Sequence, residues 1–222
     1  MTAPIDICNL ALSHIGERAD IASIDPPEAS VEAQRCAQFY PMTRKLLLAM
    51  HPWSFATKRV TAADLSASNT VPETWTYAFG LPAGVIKILG VYDGGEWRDE
   101  TYVDQIAYEI GSDSTGPRVL YSNAEDAGIR YIFDQTDSTL YPPLFVEAFS
   151  WLLAGRLAGP TIKGTEGVRV GQAATQQGMA WAMKAAAEDA NQSASRRIQQ
   201  DDRHMAPWMG QRSSSLWGRT DR

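Results

Sequence analysis

The residues that could do chemistry are few and scattered. Histidines stand at His14, His51 and His204, and cysteines at Cys8 and Cys36. A metal site gathers its donors at short spacings such as H-x-x-x-H or C-x-x-C, which turn two ligands to one face. None of these five residues belongs to such a pair, so neither a metal site nor a bound cofactor is expected. His14 is expected on the core-facing edge of a helix, His51 at a helix end and His204 in the tail. Both cysteines fall inside helical patterns, where a buried thiol is ordinarily inert. Two thiols in 222 residues make no disulfide framework and suit synthesis in a reducing compartment.

Nucleophile and phosphate motifs give no better purchase. The G-x-S-x-G elbow is absent. Gly159-Pro160-Thr161-Ile162-Lys163-Gly164 places its lysine before the second glycine, and the apolar run preceding it reads as a helix. A phosphate loop needs the lysine after that glycine, on a loop that leaves a strand. Carboxylates cluster at Glu96, Asp99, Glu100 and Asp104, and again at Glu125-Asp126. A glycosidase would need two of them facing each other across a cleft, whereas solvated loops collect acids without any function. No catalytic residue is therefore assigned. Trp75, Tyr77 and Phe79 alternate with period two, as one face of a strand does, and core or subunit-interface packing is their expected role.

The composition is that of an ordinary globular protein, with 44% hydrophobic and 21% charged residues. No run of 18 apolar residues is present, and the N-terminal residues show no secretory signal. The net charge of −6 is unevenly spread. Residues 1–190 hold 14 Lys+Arg against 23 Asp+Glu, a net −9, whereas residues 191–222 hold six Arg against three Asp, a net +3. An acidic body argues against a free nucleic-acid binder.

Periodicity divides the chain into helix, sheet and helix. Ile7, Leu10, Ala11, His14 and Ile15 share one face of a helix over 3–16, which Thr2 could cap and Gly16 would end. A second helix is expected over 28–50, kinked at Pro41 and stopped by His51-Pro52. Residues 85–92, 106–110, 119–121 and 129–133 read as strands, with Asp93-Gly94-Gly95 as a hairpin turn. No crossover helices separate them, so the sheet should be mainly antiparallel. From Tyr141 to Gly159-Pro160 a helix apolar around much of its circumference should be the most buried one. An alanine-rich helix is expected next, over 168–191. Residues 192–222 are too polar to order themselves alone and are expected to form an extended arm anchored on a partner. Trp208 and Trp217 would be its apolar anchors, and Arg196, Arg197 and Arg203 its orienting charges.

The order of these segments resembles a known family. Its opening helix is matched by Ile7-Cys8-Asn9-Leu10-Ala11-Leu12-Ser13-His14-Ile15-Gly16-Glu17. Its second helix is matched by Ala33-Gln34-Arg35-Cys36-Ala37 with Tyr40 and Arg44, leading to Leu46-Leu47 and His51-Pro52-Trp53-Ser54-Phe55-Ala56. Trp75-Thr76-Tyr77-Ala78-Phe79-Gly80-Leu81-Pro82, a strand ending at Val91-Tyr92, and the helix from Pro143-Leu144-Phe145 through Leu157-Ala158 complete the pattern. Over about residues 5–190 the chain is similar to the tail tubular protein A family, the head–tail adaptors of short-tailed bacteriophages. Pro41 departs from the pattern, and residues 192–222 lie beyond it.

The resemblance implies an α+β fold. Two N-terminal and two C-terminal helices (1–55 and 141–191) would form a four-helix bundle, with a mainly antiparallel β domain (56–140) inserted and an extended C-terminal arm (192–222). It also implies a structural protein of the virion tail, made in the host cytoplasm and not an enzyme. Such adaptors form a ring of about twelve subunits between the portal protein and the tail nozzle protein, around DNA that passes without specific binding, and away from any membrane. A virion-associated peptidoglycan hydrolase is the competing expectation.

Overall fold

The computed structural model describes residues 2–18, 20–69, 71–93, 106–112, 118–162 and 164–192. The chain divides into two units, Met1–Ala186 and Ala187–Arg222. Of the second unit only the end of the last helix is described.

Helix α1 spans Pro4–His14. Its cap is Ala3 and not Thr2, and the Asp6 carboxylate accepts from the Ala3 backbone N–H at 2.8 Å. Gly16 provides the left-handed exit at φ 76°. Helix α2 spans Val31–Met50, with the Ser30 hydroxyl accepting from Ala33 N, and it runs through Pro41. Pro52 comes after the extended His51, as the restriction on a residue before proline requires. Trp53 then folds back fully buried and donates Nε1–H to the Leu47 carbonyl at 2.9 Å, satisfying one of the orphan acceptors of the α2 end.

Seven strands come next: β1 Thr57–Thr61, β2 Ala63–Asp64, β3 Tyr77–Gly80, β4 Val85–Asp93, β5 Tyr108–Ser112, β6 Arg118–Ser122 and β7 Ala127–Phe133. They make two antiparallel sheets, ordered β1-β7-β4 and β2-β3-β6-β5. The expected hairpin turn after β4 falls on Gly94-Gly95, outside the described residues, beyond which Ile106 N donates to the Val91 carbonyl at 3.0 Å. β4 pairs with β7, and β5 lies in the other sheet.

The sheets pack face to face. Phe79 and Leu120 from one meet Ile88, Val91, Ile129 and Tyr131 from the other. Ile132, on the opposite face of β7, joins the core of the helices, with Ile86 and Leu89 beside it. β7 is thus buried on both faces, and its nearly continuous apolar sequence reflects that.

Helix α3 spans Pro143–Thr161 and α4 spans Thr165–Gln192. α3 carries on through Gly159-Pro160 to Thr161. A glycine before the proline removes the Cβ that would clash with the ring in helical geometry. Phe145, Ala148, Phe149, Ser150, Leu152, Leu153, Ala154, Leu157 and Ala158 are all buried, so α3 needs cover on several sides. α1 and α2 both pack on it, and α4 presses small residues against it.

This arrangement corrects the expected four-helix bundle with an inserted β domain. The four helices are interleaved with the two antiparallel sheets, and helices and sheet share one core through Ile132, Trp53, Ala56 and Tyr141. An all-round apolar helix suits a bundle centre and a helix-on-sheet layer equally well. Here the second face of β7 enters the helical core through Ile132.

Candidate functional site

A histidine, a serine and a carboxylate meet at the α1–α3 contact. The His14 ring stacks on Trp151, with centroids 3.8 Å apart and planes 12° off parallel. His14 Nε2 lies 3.0 Å from Ser150 Oγ. The Ser150 hydroxyl already donates to the Glu147 carbonyl at 2.9 Å, so the imidazole must be the donor. The Glu147 carboxylate accepts from Trp151 Nε1 at 2.9 Å. A serine nucleophile needs the opposite polarity, with histidine accepting the hydroxyl proton and a carboxylate on its far nitrogen. Ser150 is moreover fully buried. Burial lowers the His14 pKa below its ordinary value, and the Glu147 charge pulls the other way.

Arg44 of α2 reaches Asp134, just past β7, in a two-pronged ion pair: Nε to Oδ1 at 2.7 Å and Nη2 to Oδ2 at 2.9 Å. Burial works against the Arg44 charge, but the Asp134 hydrogen bonds and carboxylate outweigh it and raise the pKa. Tyr141 donates to the Gln135 carbonyl at 2.6 Å, and burial pushes its phenol up to about 12. The Tyr40 hydroxyl is buried without a hydrogen-bond partner, and burial moves its pKa up as well. The cluster ties a helix to a sheet and holds its phenols protonated.

Cys8 of α1 and Cys36 of α2 are fully buried and share a hydrogen bond. That bond and burial raise the Cys8 pKa, and the same bond favours ionisation of Cys36 against its desolvation. Both sit among apolar side chains, so we take the pair as two thiols at neutral pH. Among the described residues, no group of three or more His, Cys, Asp or Glu could hold a metal ion. The carboxylates of Asp64 and Asp137 shift downward, held by the hydroxyl and backbone N–H of Ser66 and Thr139. A general acid needs the reverse.

An open groove of about 680 Å³ lies between α3 and α4, lined by Gly155, Gly159, Gly167, Gly171, Gln172 and Thr175 among others. It offers little for a ligand to grip. The Thr175 hydroxyl is spent on the Gly171 carbonyl at 2.8 Å. The glycines serve the helices: a Cβ on Gly171 would stand 2.9 Å from the Gly155 carbonyl oxygen, and one on Gly178 2.8 Å from the Leu152 backbone nitrogen.

The outward faces of two helices stand out. On α2, Met42, Leu46 and Met50 recur at i, i+4 and i+8, and all three are exposed, Met42 by 53%. On α4, Val168, Met179 and Met183 are exposed, Met183 by 70%. Isolated surface apolar residues are ordinary, but aligned ones mark contact surfaces.

No protein-family model matches the chain, and no curated protein matches it.

The other candidate residues of the sequence stand apart from these clusters. His51 caps the end of α2 and meets the Trp53 ring edge-on. Tyr77 and Phe79 face the core between the sheets as a strand face should, but Trp75 precedes β3 and packs with Ala78, Val119 and Tyr121. Its Nε1 donates to Glu109 at 2.8 Å. Glu125 and Asp126 are exposed. Glu96, Asp99, Glu100, Asp104, Lys163, His204, Arg196, Arg197, Arg203, Trp208 and Trp217 lie outside the described residues.

Sequence reasoning missed two clamps. Asn9 brackets Ile21, its Oδ1 accepting from Ile21 N at 3.0 Å and its Nδ2 donating to Ile21 O at 3.1 Å. The Arg44–Asp134 pair spans 90 residues of chain, a separation that no local pattern reports.

Proposed function

We propose that the chain is the head–tail adaptor subunit of a short-tailed phage, a non-catalytic ring component between portal and tail nozzle. The observation that carries this reading is the placement of the residues on which the family resemblance rests. Asn9, His14, Cys36, Tyr40, Arg44, Trp53 and Phe55 all enter the clamps, ring contacts and shared core that join α1, α2, α3 and the first sheet. The residues that carry the resemblance are thus ones that hold this fold together. The aligned apolar residues on α2 and α4 add support, because a ring subunit must keep part of its surface for its neighbours. On this reading the net −9 of residues 1–190, multiplied around one axis, keeps DNA from adhering as it passes. Residues 192–222, with Arg196, Arg197, Arg203, Trp208 and Trp217, serve as the anchoring arm.

Sedimentation of the chain mixed with portal rings of short-tailed phages tests the role. Comigration with the portal is the expected result. Failure to bind any portal, or turnover of peptidoglycan that one carboxylate substitution abolishes, would overturn it.

A further inference from the structure

We propose that neighbouring adaptor copies join by laying the outer face of α4 of one copy on the outer face of α2 of the next. This rests on the adaptor reading above and names the surfaces that would close the ring.

The α4 face is unusual for a surface helix. Gly171, Ala174, Gly178, Ala182 and Ala185 are buried and turn to one side. The other side shows Gln172, Ala173, Gln176, Met179 and Met183 to solvent. From Val170 to Met183 there is no charged residue, although 21% of the whole chain is charged. Arg169, paired with Glu166 at 2.7 Å, and Lys184, over the Trp181 ring, bracket the run. Methionine enrichment with charge depletion is the composition of an interface core.

The α2 face is its complement. Met42, Leu46 and Met50 are flanked by exposed Arg35 and Lys45, and the one acid of the helix, Glu32, lies in its first turn. Two α2 faces would therefore set like charges against each other. Two α4 faces could meet, but that would leave the α2 stripe in water. Only the mixed pairing covers both without opposing charges. The glutamine amides of α4 can then accept from the Arg35 and Lys45 donors.

Area points to an array of copies and not to an isolated pair. The uncharged run rises about 21 Å along a helix about 10 Å wide, so a single pairing hides roughly 600–700 Å² in total. That falls short of the ~1,000 Å² that a stable pair needs. A copy held on both its α2 and its α4 sides has about twice that area, and head-to-tail contacts of this kind make a ring when the rotation between copies closes.

The full chain, with and without portal rings, is tested in two ways. Met179→Glu with Met183→Glu, and separately Leu46→Glu, should each raise the concentration for half-assembly about tenfold or more. Leu140→Glu, at an exposed site on neither face, should not. Met42→Cys and Met179→Cys chains, mixed and treated with copper phenanthroline in air, should give a disulfide-linked pair that neither chain gives alone. Cross-linking of Met179→Cys alone, or assembly that tolerates the glutamates, overturns the pairing and leaves the adaptor reading standing. A fall in the melting temperature of the isolated glutamate variants also overturns it, since the face would then be covered within one chain. A wild-type chain that forms no ring even on portals overturns both.

Discussion

Gly178→Ala turns the contact between α3 and α4 into a number. In an isolated helix the substitution favours folding by about 0.8–1 kcal/mol, because alanine loses less backbone entropy than glycine. Here the new methyl would stand 2.8 Å from the Leu152 backbone nitrogen and 2.8 Å from Leu152 Cγ. A side chain can rotate away, but a backbone nitrogen inside a helix cannot. α3 and α4 would have to separate by about half an ångström, which also loosens the Gly155–Gly171 approach. Overpacking of this kind costs about 1–3 kcal/mol, and the gain in propensity offsets less than half of the upper figure. The net expectation is a loss of up to about 2 kcal/mol. In a chain of this size that lowers the melting temperature by up to roughly 8 °C. Urea denaturation monitored by circular dichroism reads the same change as an earlier midpoint at unchanged slope. Gln176→Ala on the solvent side of the same helix should change stability by only a few tenths of a kcal/mol. A Gly178→Ala protein that melts higher than wild type would refute the reasoning, because alanine would then be acting as it does in a helix without neighbours.

Other substitutions test the remaining clamps. Arg44→Met leaves the largely buried Asp134 carboxylate without its bidentate partner and should cost about 2–4 kcal/mol by urea titration, while Arg44→Lys should recover only part of it. Trp53→Phe removes the donor to the Leu47 carbonyl and should cost about 1–3 kcal/mol in the same assay. His14 has a lowered pKa in the folded protein, so below about pH 6.5 the unfolded chain takes up a proton that the folded one refuses. Stability should therefore fall as pH drops through that value, and His14→Gln should flatten that part of the profile. Deletion of residues 192–222 should leave the melting temperature nearly unchanged and weaken assembly on portals; unfolding of the deleted form would count against an anchoring arm.

Local pattern made the helices and most strands legible. Ile7, Ala11 and Ile15 mark one face of α1, Gly16 ends it in left-handed geometry, and His51-Pro52 ends α2. Pairing was not legible. β7 takes β1 and β4 as partners across tens of residues, and β1 was missed because its strand is almost wholly exposed and reads as polar. The bundle expectation failed because the first sheet shares the helical core through Ile132, a contact between distant segments that no local pattern reports. For the site, His14 and His51 stood where their patterns put them. The partners Ser150, Glu147 and Asp134 arrive from distant segments. The small-residue face of α4 was visible as alanine richness, but its purpose became clear only from the backbone of α3 on the other side.

The mass of the particle that the full chain forms on portal rings, measured by native mass spectrometry, tests the adaptor role most directly. A ring subunit should add about twelve copies of the 24.4 kDa chain in a single closed step, with no stable partial counts. A chain that stays at 24.4 kDa beside an unchanged portal would contradict it.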